Sequence, residues 1–239
     1  MRGRVDDPRR HSRAALVRIL LQLLPETLAR RLLRCPKFSV IIYCVGESRA
    51  ILLAAAAAQF AKYGPRGTRV QDIVEAAGVN ERMIYHHFGS KDGLYAAVMR
   101  DQRYRLGEAW WPVLAKAVAM DPYLGMQLAL GGFFDALLAR PQVAALFAHE
   151  ALGDAPLAVP EGITGPPEPV RLLYERGQAE GVFPADVPFE IAYATAISSL
   201  IAMSLFGWRF SEVIKTGLDA DPARFRDQVV GQLLNGMTG

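Results

Sequence analysis

The sequence predicts an all-α fold, and three observations lead to this prediction. Apolar side chains recur at helical spacing, as in Leu53, Ala56 and Phe60. Proline suits the first turn of a helix, where its missing N–H would have no intrahelical partner. Three dipeptides of this kind mark predicted helix starts: Asp121-Pro122, Val187-Pro188 and Asp221-Pro222. Only residues 38–45 could form a short strand or an apolar coil, since no other segment shows strand-like alternation.

The predicted helices of the C-terminal region follow from these starts. They cover residues 122–139, 188–208 and 222–235, and helical patterns also fill 101–121 and 141–152. The segment from Gly153 to Pro169 holds five prolines and three glycines, so it is predicted to be a loop.

The composition excludes several classes of protein. A chain of 239 residues with 51% hydrophobic residues can form a core and is too apolar to be disordered throughout. The two cysteines, Cys35 and Cys44, cannot build a disulfide framework and do not match a zinc-site pattern. We therefore expect a reduced, cytoplasmic setting, with no metal and no cofactor.

The net charge of +3 hides a strong asymmetry along the chain. Residues 1–46 have a balance of +7, residues 47–100 of +2 and residues 101–239 of −6. A basic N-terminal part indicates an anionic partner, either a nucleic acid or a membrane surface.

Two apolar segments could be a secretion signal or a membrane-spanning helix. Arg18 interrupts residues 14–24, and no small-residue cleavage site follows them. Residues 191–208 carry no charge and reach the lower length limit of a membrane span. Their serines, threonine and alanines favour a helix that is buried by its own core and by a partner subunit. We therefore expect no stable membrane association.

Residues 48–98 contain the pattern of a helix-turn-helix. Ser48 can cap a helix that Gly64-Pro65 ends, and Thr68 can cap the next helix. Gly78 supplies the left-handed conformation of a tight turn, and Asn80 can cap a further helix over 81–88. Two helices joined by a short glycine turn are typical of this DNA-binding motif.

The residues of this region resemble the DNA-binding domain of the TetR family of bacterial transcriptional regulators. The similarity lies in the runs Thr68–Asn80 and Ile84–Leu94, which include a Tyr-His-His-Phe-Gly-Ser-Lys sequence. It implies three parts: an N-terminal extension (1–46), a three-helix DNA-binding domain (47–98) and a helical effector-binding and dimerisation domain (99–239). Asn80, Val74 and residues 81–83 depart from the usual pattern, so the operator cannot be inferred from relatives.

The resemblance also implies roles for individual residues. Tyr85, Lys91 and Thr68 would contact phosphates, whereas Arg82 could pair with guanine or meet a phosphate only. His86 could contact a phosphate or a base. The predicted DNA-binding residues are Thr68, Arg69, Asn80, Glu81, Arg82, Tyr85, His86 and Lys91.

A homodimer and an effector site complete this expectation. The helices over 188–208 and 222–235 are the predicted dimer interface, with a self-packed monomer core as the alternative. An aromatic pocket would bind an unknown small molecule, although an aromatic taken singly is more often a core residue than a ligand contact. The candidate ligand-binding residues are Trp110, Phe133, Phe134, Phe147, His149 and Tyr193.

Residues 1–46 have no counterpart in the family pattern. They could be a basic arm on DNA, an amphipathic membrane-surface segment, or the product of a start codon placed too far upstream. We expect disorder or an upstream start, because the segment has no matching core to fold against.

Three functions of different classes remain to be compared. The favoured one is a homodimeric repressor that binds a pseudo-palindromic operator and is released by a small molecule, with an activator as the alternative. An enzyme is disfavoured because the sequence shows no nucleophile–base, metal or phosphate-loop motif. A membrane-surface adaptor would depend on residues 1–46 and 191–208.

Overall fold

The structure is a computed structural model that describes residues 36–153, 165–214 and 221–237. Nine α-helices account for most of these residues, and no strand occurs among them, so the all-α prediction is confirmed. Residues 1–35 and most of the proline-rich loop, 154–164, lie outside the described residues, and so do the predictions made for them.

The helices follow one another along the chain with short connections. Their bounds are α1 Pro36–Gly67, α2 Val70–Ala77, α3 Arg82–Phe88, α4 Lys91–Ala117, α5 Pro122–Leu138, α6 Pro141–Ala151, α7 Glu168–Ala179, α8 Phe189–Ile214 and α9 Pro222–Asn235.

The first helix differs from its prediction at the N-terminal end. Residues 38–45 are helical rather than a strand or coil, and Ser48 lies inside α1 instead of capping it. The predicted break at Gly64 is confirmed, because its backbone adopts φ 70° and ψ 172° and only a short turn with Pro65 follows. A positive φ of this kind favours glycine.

The proline-marked helix starts of the C-terminal region are confirmed within one residue. Asp121 accepts hydrogen bonds from the backbone N–H groups of Tyr123 and Leu124, at 3.0 and 3.3 Å, and so caps α5. Asp221 accepts from the N–H of Arg224 at 3.0 Å and caps α9. The capping carboxylates therefore fix where both helices begin.

Two hydrophobic cores lie along the described chain. One belongs to the helix-turn-helix region and contains the predicted stripe of Leu53, Ala56 and Phe60, together with Ile73 and Ile84. The other is centred on α5, which packs against α4, α6, α7, α8 and α9. Helix α4 contributes to both cores and crosses the predicted domain boundary at residue 98 without interruption.

Candidate nucleic-acid interface

The turn between α2 and α3 has the geometry of a helix-turn-helix. Gly78 ends α2 with φ 65°, and its N–H donates to the carbonyl of Glu75 at 3.2 Å. The Asn80 side chain accepts a hydrogen bond from the N–H of Arg82 at 2.9 Å. The predicted glycine turn and the predicted Asn80 cap are thus confirmed, although α3 begins at Arg82 and not at Glu81.

The two helices of this motif are held by a common core. Ile73 of α2 and Ile84 of α3 are both fully buried in the helix-turn-helix core. Because Ile84 points inward, the opposite side of this short helix must face solvent. This burial fixes which side chains α3 presents outward.

The outward side of α3 presents a charged and aromatic surface. Arg82, Tyr85 and His86 are exposed, with 52% of Tyr85 accessible. The Tyr85 hydroxyl donates a hydrogen bond to a carboxylate oxygen of Glu81 at 3.1 Å, which raises the pKa of Tyr85 above its usual range. Four of the predicted DNA-binding residues, Glu81, Arg82, Tyr85 and His86, thus lie in α3 or directly before it.

Two further predicted residues lie at helix starts. Lys91 is the first residue of α4, whose cap Ser90 accepts a hydrogen bond from the N–H of Gly93 at 2.9 Å. Arg69 is exposed and precedes α2, with no cap bond from its side chain. Both positions place a cation beside backbone N–H groups that favour anions. Gln71 is also exposed near the start of α2, although the sequence does not predict it as a DNA-binding residue.

Thr68 does not occupy the place predicted for it. The residue is only 2% exposed, and its hydroxyl donates to the carbonyls of Gly64 and Gln59, at 2.7 and 3.1 Å. Arg69, not Thr68, is the N-cap residue of α2. The hydroxyl is already engaged within the protein, so we correct the prediction of a cap and a phosphate contact here.

The predicted ligand residues are spread over different environments. Trp110 and Phe133 are core residues with ring centroids 4.9 Å apart, and the Trp110 indole donates to the carbonyl of Ala129 at 2.8 Å. Phe134 is fully buried against Phe225. These three aromatics therefore build the core of the C-terminal region.

The other three predicted ligand residues are also separated. Phe147 packs against both cores, and the ring of His149 lies against Gly64. Tyr193 lines a cavity of about 10 Å³, which has room for about one water molecule. Burial raises the pKa of Tyr193 to about 12. The remaining lining of the cavity is mainly apolar: Met126, Leu130, Val170, Tyr174, Phe189, Ala192, Ala196 and Met237.

Comparison with known proteins places the helix-turn-helix region in a family. A family model described as bacterial regulatory proteins, tetR family, matches residues 52–98. All eight predicted DNA-binding residues fall within this range. Residues 52–98 are therefore similar to the DNA-binding domain of the TetR family.

Individual relatives extend the TetR-family similarity into the C-terminal region. The transcriptional regulator RutR of Escherichia coli K12 is 31% identical over 128 residues, which are 51% of this chain and 55% of RutR. The transcriptional repressor NicS of Pseudomonas putida is 28% identical over 152 residues, covering 62% of this chain and 71% of NicS. The match thus spans about half the length of RutR.

A solved structure agrees with the fold over most of the chain. The regulator SCO4942 of Streptomyces coelicolor superimposes with a TM-score of 0.59 at 23% identity, covering 80% of this chain and 98% of its own. At this identity the likeness shows a shared fold and leaves ligands and operators open.

Two features of the described residues bear on other functions. No group of three or more His, Cys, Asp or Glu side chains that could hold a metal ion occurs among them. One described helix segment, Phe189–Gly207 of α8, is long and apolar enough to cross a membrane by length and composition. Its exposed side therefore needs an explanation in any account of function.

Proposed function

We propose that this chain is a transcriptional regulator of the TetR family that binds DNA through the exposed side of α3. The observation that supports this most strongly is the orientation of α3. Ile84 is fully buried, while Arg82, Tyr85 and His86 are exposed on the helix that follows the turn. The second helix of this motif enters the major groove in characterised DNA-binding proteins.

The proposed contacts divide into base and phosphate contacts. Arg82 recognises a guanine through its two-pronged guanidinium, and Glu81 and Asn80 position the start of α3. Tyr85, Lys91 and Arg69 hold phosphates, and His86 contacts a phosphate or a base edge. The Tyr85 hydroxyl must leave the Glu81 carboxylate to donate to a phosphate, because it has a single proton to donate.

The proposed active form is a homodimer, and α8 provides the surface that supports it. Five exposed residues recur at spacings of three or four along α8 and carry no charge: Ile191, Thr195, Ser198, Ala202 and Phe206. Ile191 and Phe206 are 60% and 51% exposed. Burial of such a stripe against a second copy would remove it from water. The exposed side of α9 is polar, so α8 is the stronger part of the proposed interface.

We further propose repression that a small apolar effector relieves. NicS is named a repressor, which supports the direction of the effect. The cavity beside Tyr193 is too small for an effector in this conformation, so binding would require the surrounding helices to move apart.

The test of the proposed function is selection of bound sequences from a random double-stranded DNA pool by the purified full chain. We expect enrichment of a pseudo-palindrome whose half-sites lie roughly 34–36 Å apart or at multiples of that spacing. Sedimentation equilibrium should give a dimer. If no sequence is enriched over the starting pool, the proposed function is wrong.

A membrane-surface role for the apolar side of α8 gives a different outcome. In that case the chain would sediment with liposomes of anionic lipid, and DNA selection would give no enrichment. A homodimer whose interface covers α8 should remain in the supernatant.

A further inference from the structure

Helix α6 belongs to the C-terminal region by sequence but contributes to the helix-turn-helix core. Leu146 is fully buried and packs in the same cluster as Phe60, Ile73 and Ile84. The adjacent Phe147 is partly buried against both cores. The C-terminal half of α6 is therefore a second attachment between the two regions, in addition to the continuous helix α4.

The ring of His149 fills the space beside the kink in α1. A Cβ atom placed on Gly64 would lie 2.9 Å from Nδ1 of His149, closer than real Cβ contacts. The carbonyl of Gly64 accepts hydrogen bonds from the hydroxyl and the N–H of Thr68, at 2.7 and 3.2 Å. Because Thr68 leads into α2, His149 contacts the turn from which the helix-turn-helix begins.

The next residue of α6 is paired with a cation of α4. Glu150 forms an ion pair with Arg103, and the two side chains are only 10% and 17% exposed. The guanidinium of Arg103 also lies 5.6 Å from the ring centre of Phe147. Such a shielded pair is screened less by solvent and salt than an exposed one. Loss of the carboxylate would leave the Arg103 charge partly buried without this partner.

We propose that Leu146, His149 and Glu150, together with Gly64 and Arg103, fix the direction of the helix-turn-helix relative to the dimerising region and so set the half-site spacing that the dimer accepts. We name this group of five residues the α6 clamp. The inference rests on the proposed function, since it needs a DNA-binding dimer. His149 and Glu150 act here as positioning residues and do not contact DNA.

The physical reason lies in the geometry of a dimer on a duplex. One helix alone, α4, leaves the DNA-binding region free to bend or rotate, whereas a second attachment off the α4 axis restrains both motions. Each base pair added between half-sites moves one of them by about 3.4 Å along the DNA and by about 34° around it. A dimer whose two helix-turn-helix regions are restrained should therefore bind well at one half-site spacing. A dimer without this restraint should bind at several spacings.

The test uses duplexes that contain the selected half-sites and spacers shortened or lengthened by one and two base pairs. Dissociation constants are measured for the wild type, His149→Ala and Glu150→Gln. We expect the preference for the best spacer over its neighbours to fall roughly 2- to 30-fold in each variant, the range expected for mutations along a coupling network. The base preference within a half-site should stay unchanged.

A matched control is available on the same helix as Arg103. Arg105 forms an ion pair with Asp101 at 2.7 Å within α4, and its side chain is 51% exposed. Arg105→Ala therefore removes an ion pair next to the clamp, and its spacer preference should equal that of the wild type. Glu150→Gln keeps the shape of the side chain, so it still tests the inference if His149→Ala does not fold.

Three results would overturn the inference. One is an unchanged spacer preference in both variants. Another is a uniform loss of affinity with a lower melting temperature, which would indicate a purely structural role. If the wild type itself selects no DNA, the proposed function fails, and the inference fails with it. If the wild type shows a sharp spacer preference and the variants share it, only the inference fails, and the proposed function stands.

Discussion

The helix-turn-helix region and the C-terminal region place their aromatic and charged residues in opposite ways. In the helix-turn-helix, Arg82, Tyr85 and His86 face solvent from a short helix that one isoleucine anchors. In the C-terminal region, Trp110 and Phe134 are buried in the core. Spacing along the sequence can therefore assign an aromatic residue to the buried or the exposed face of a short amphipathic helix. Spacing cannot do so for an aromatic residue in a core of several packed helices.

The largest expected effect breaks the core of the C-terminal region. Phe134→Ala should lower the free energy of unfolding by about 3–5 kcal/mol, because the ring is fully buried against Phe225 and its loss leaves a cavity. Chemical denaturation monitored by circular dichroism measures it.

An exposed tyrosine provides the control for this comparison. Tyr104 is 65% exposed, and Tyr104→Ala should change the free energy of unfolding by less than about 0.5 kcal/mol. If the Phe134 variant were as stable as the Tyr104 variant, Phe134 could not be a core residue and would return as a candidate ligand contact.

The next effect concerns the apolar side of α8. Ile191→Glu introduces a charge at a position whose side chain is 60% exposed in the single chain. In the proposed dimer this charge would be buried without a partner, which costs about 3–5 kcal/mol. Sedimentation velocity should show monomers at concentrations where the wild type is dimeric.

A substitution on the polar side of α9 sharpens this prediction. Gln232 is exposed, and Gln232→Glu adds the same charge to that side. It should reduce dimerisation much less than Ile191→Glu. Equal loss in both variants would mean that the interface is not centred on α8.

A smaller effect is expected from loss of the Asn80 cap or of the buried Thr68 hydroxyl. Asn80→Ala should cost about 1 kcal/mol of stability because the N–H of Arg82 loses its acceptor. Thr68→Val should cost about 1–3 kcal/mol because the carbonyls of Gly64 and Gln59 lose a buried donor. Thermal and denaturant unfolding of both variants provide the values.

DNA binding by the Thr68 variant tests the correction made for this residue. The salt dependence of its binding should match that of the wild type, since the hydroxyl is buried and holds the turn. A reduced salt slope would contradict this placement and restore the predicted phosphate contact.

Local pattern was sufficient to predict most of the helix-turn-helix. The glycine turn at Gly78, the Asn80 cap and the inward Ile84 all depend on neighbours within four residues. The prediction for Thr68 is wrong because its hydroxyl bonds to the carbonyls of Gly64 and Gln59, and the contact to a residue nine positions away is not visible in the local pattern.

Long-range packing explains the rest of the differences. Nothing in the sequence around Leu146 shows that it enters the helix-turn-helix core, since the other buried residues of that core lie about 47 or more residues away. The six predicted ligand residues lie in different environments for the same reason: spacing along a helix does not reveal which neighbouring helix a side chain contacts. Tyr193 lines a cavity because α5, α7 and α8 meet there.

The central claim is that the exposed side of α3 recognises DNA bases, and Arg82 is its most direct test. The affinities of the wild type, Arg82→Ala and Lys91→Ala are measured for the selected operator and for each of its single-base variants. The account predicts that Arg82→Ala loses about 1–3 kcal/mol of binding and its preference at one guanine per half-site. Lys91→Ala should weaken all sequences alike and lower the salt slope by about 1. Unchanged affinity and base preference in Arg82→Ala would contradict the account.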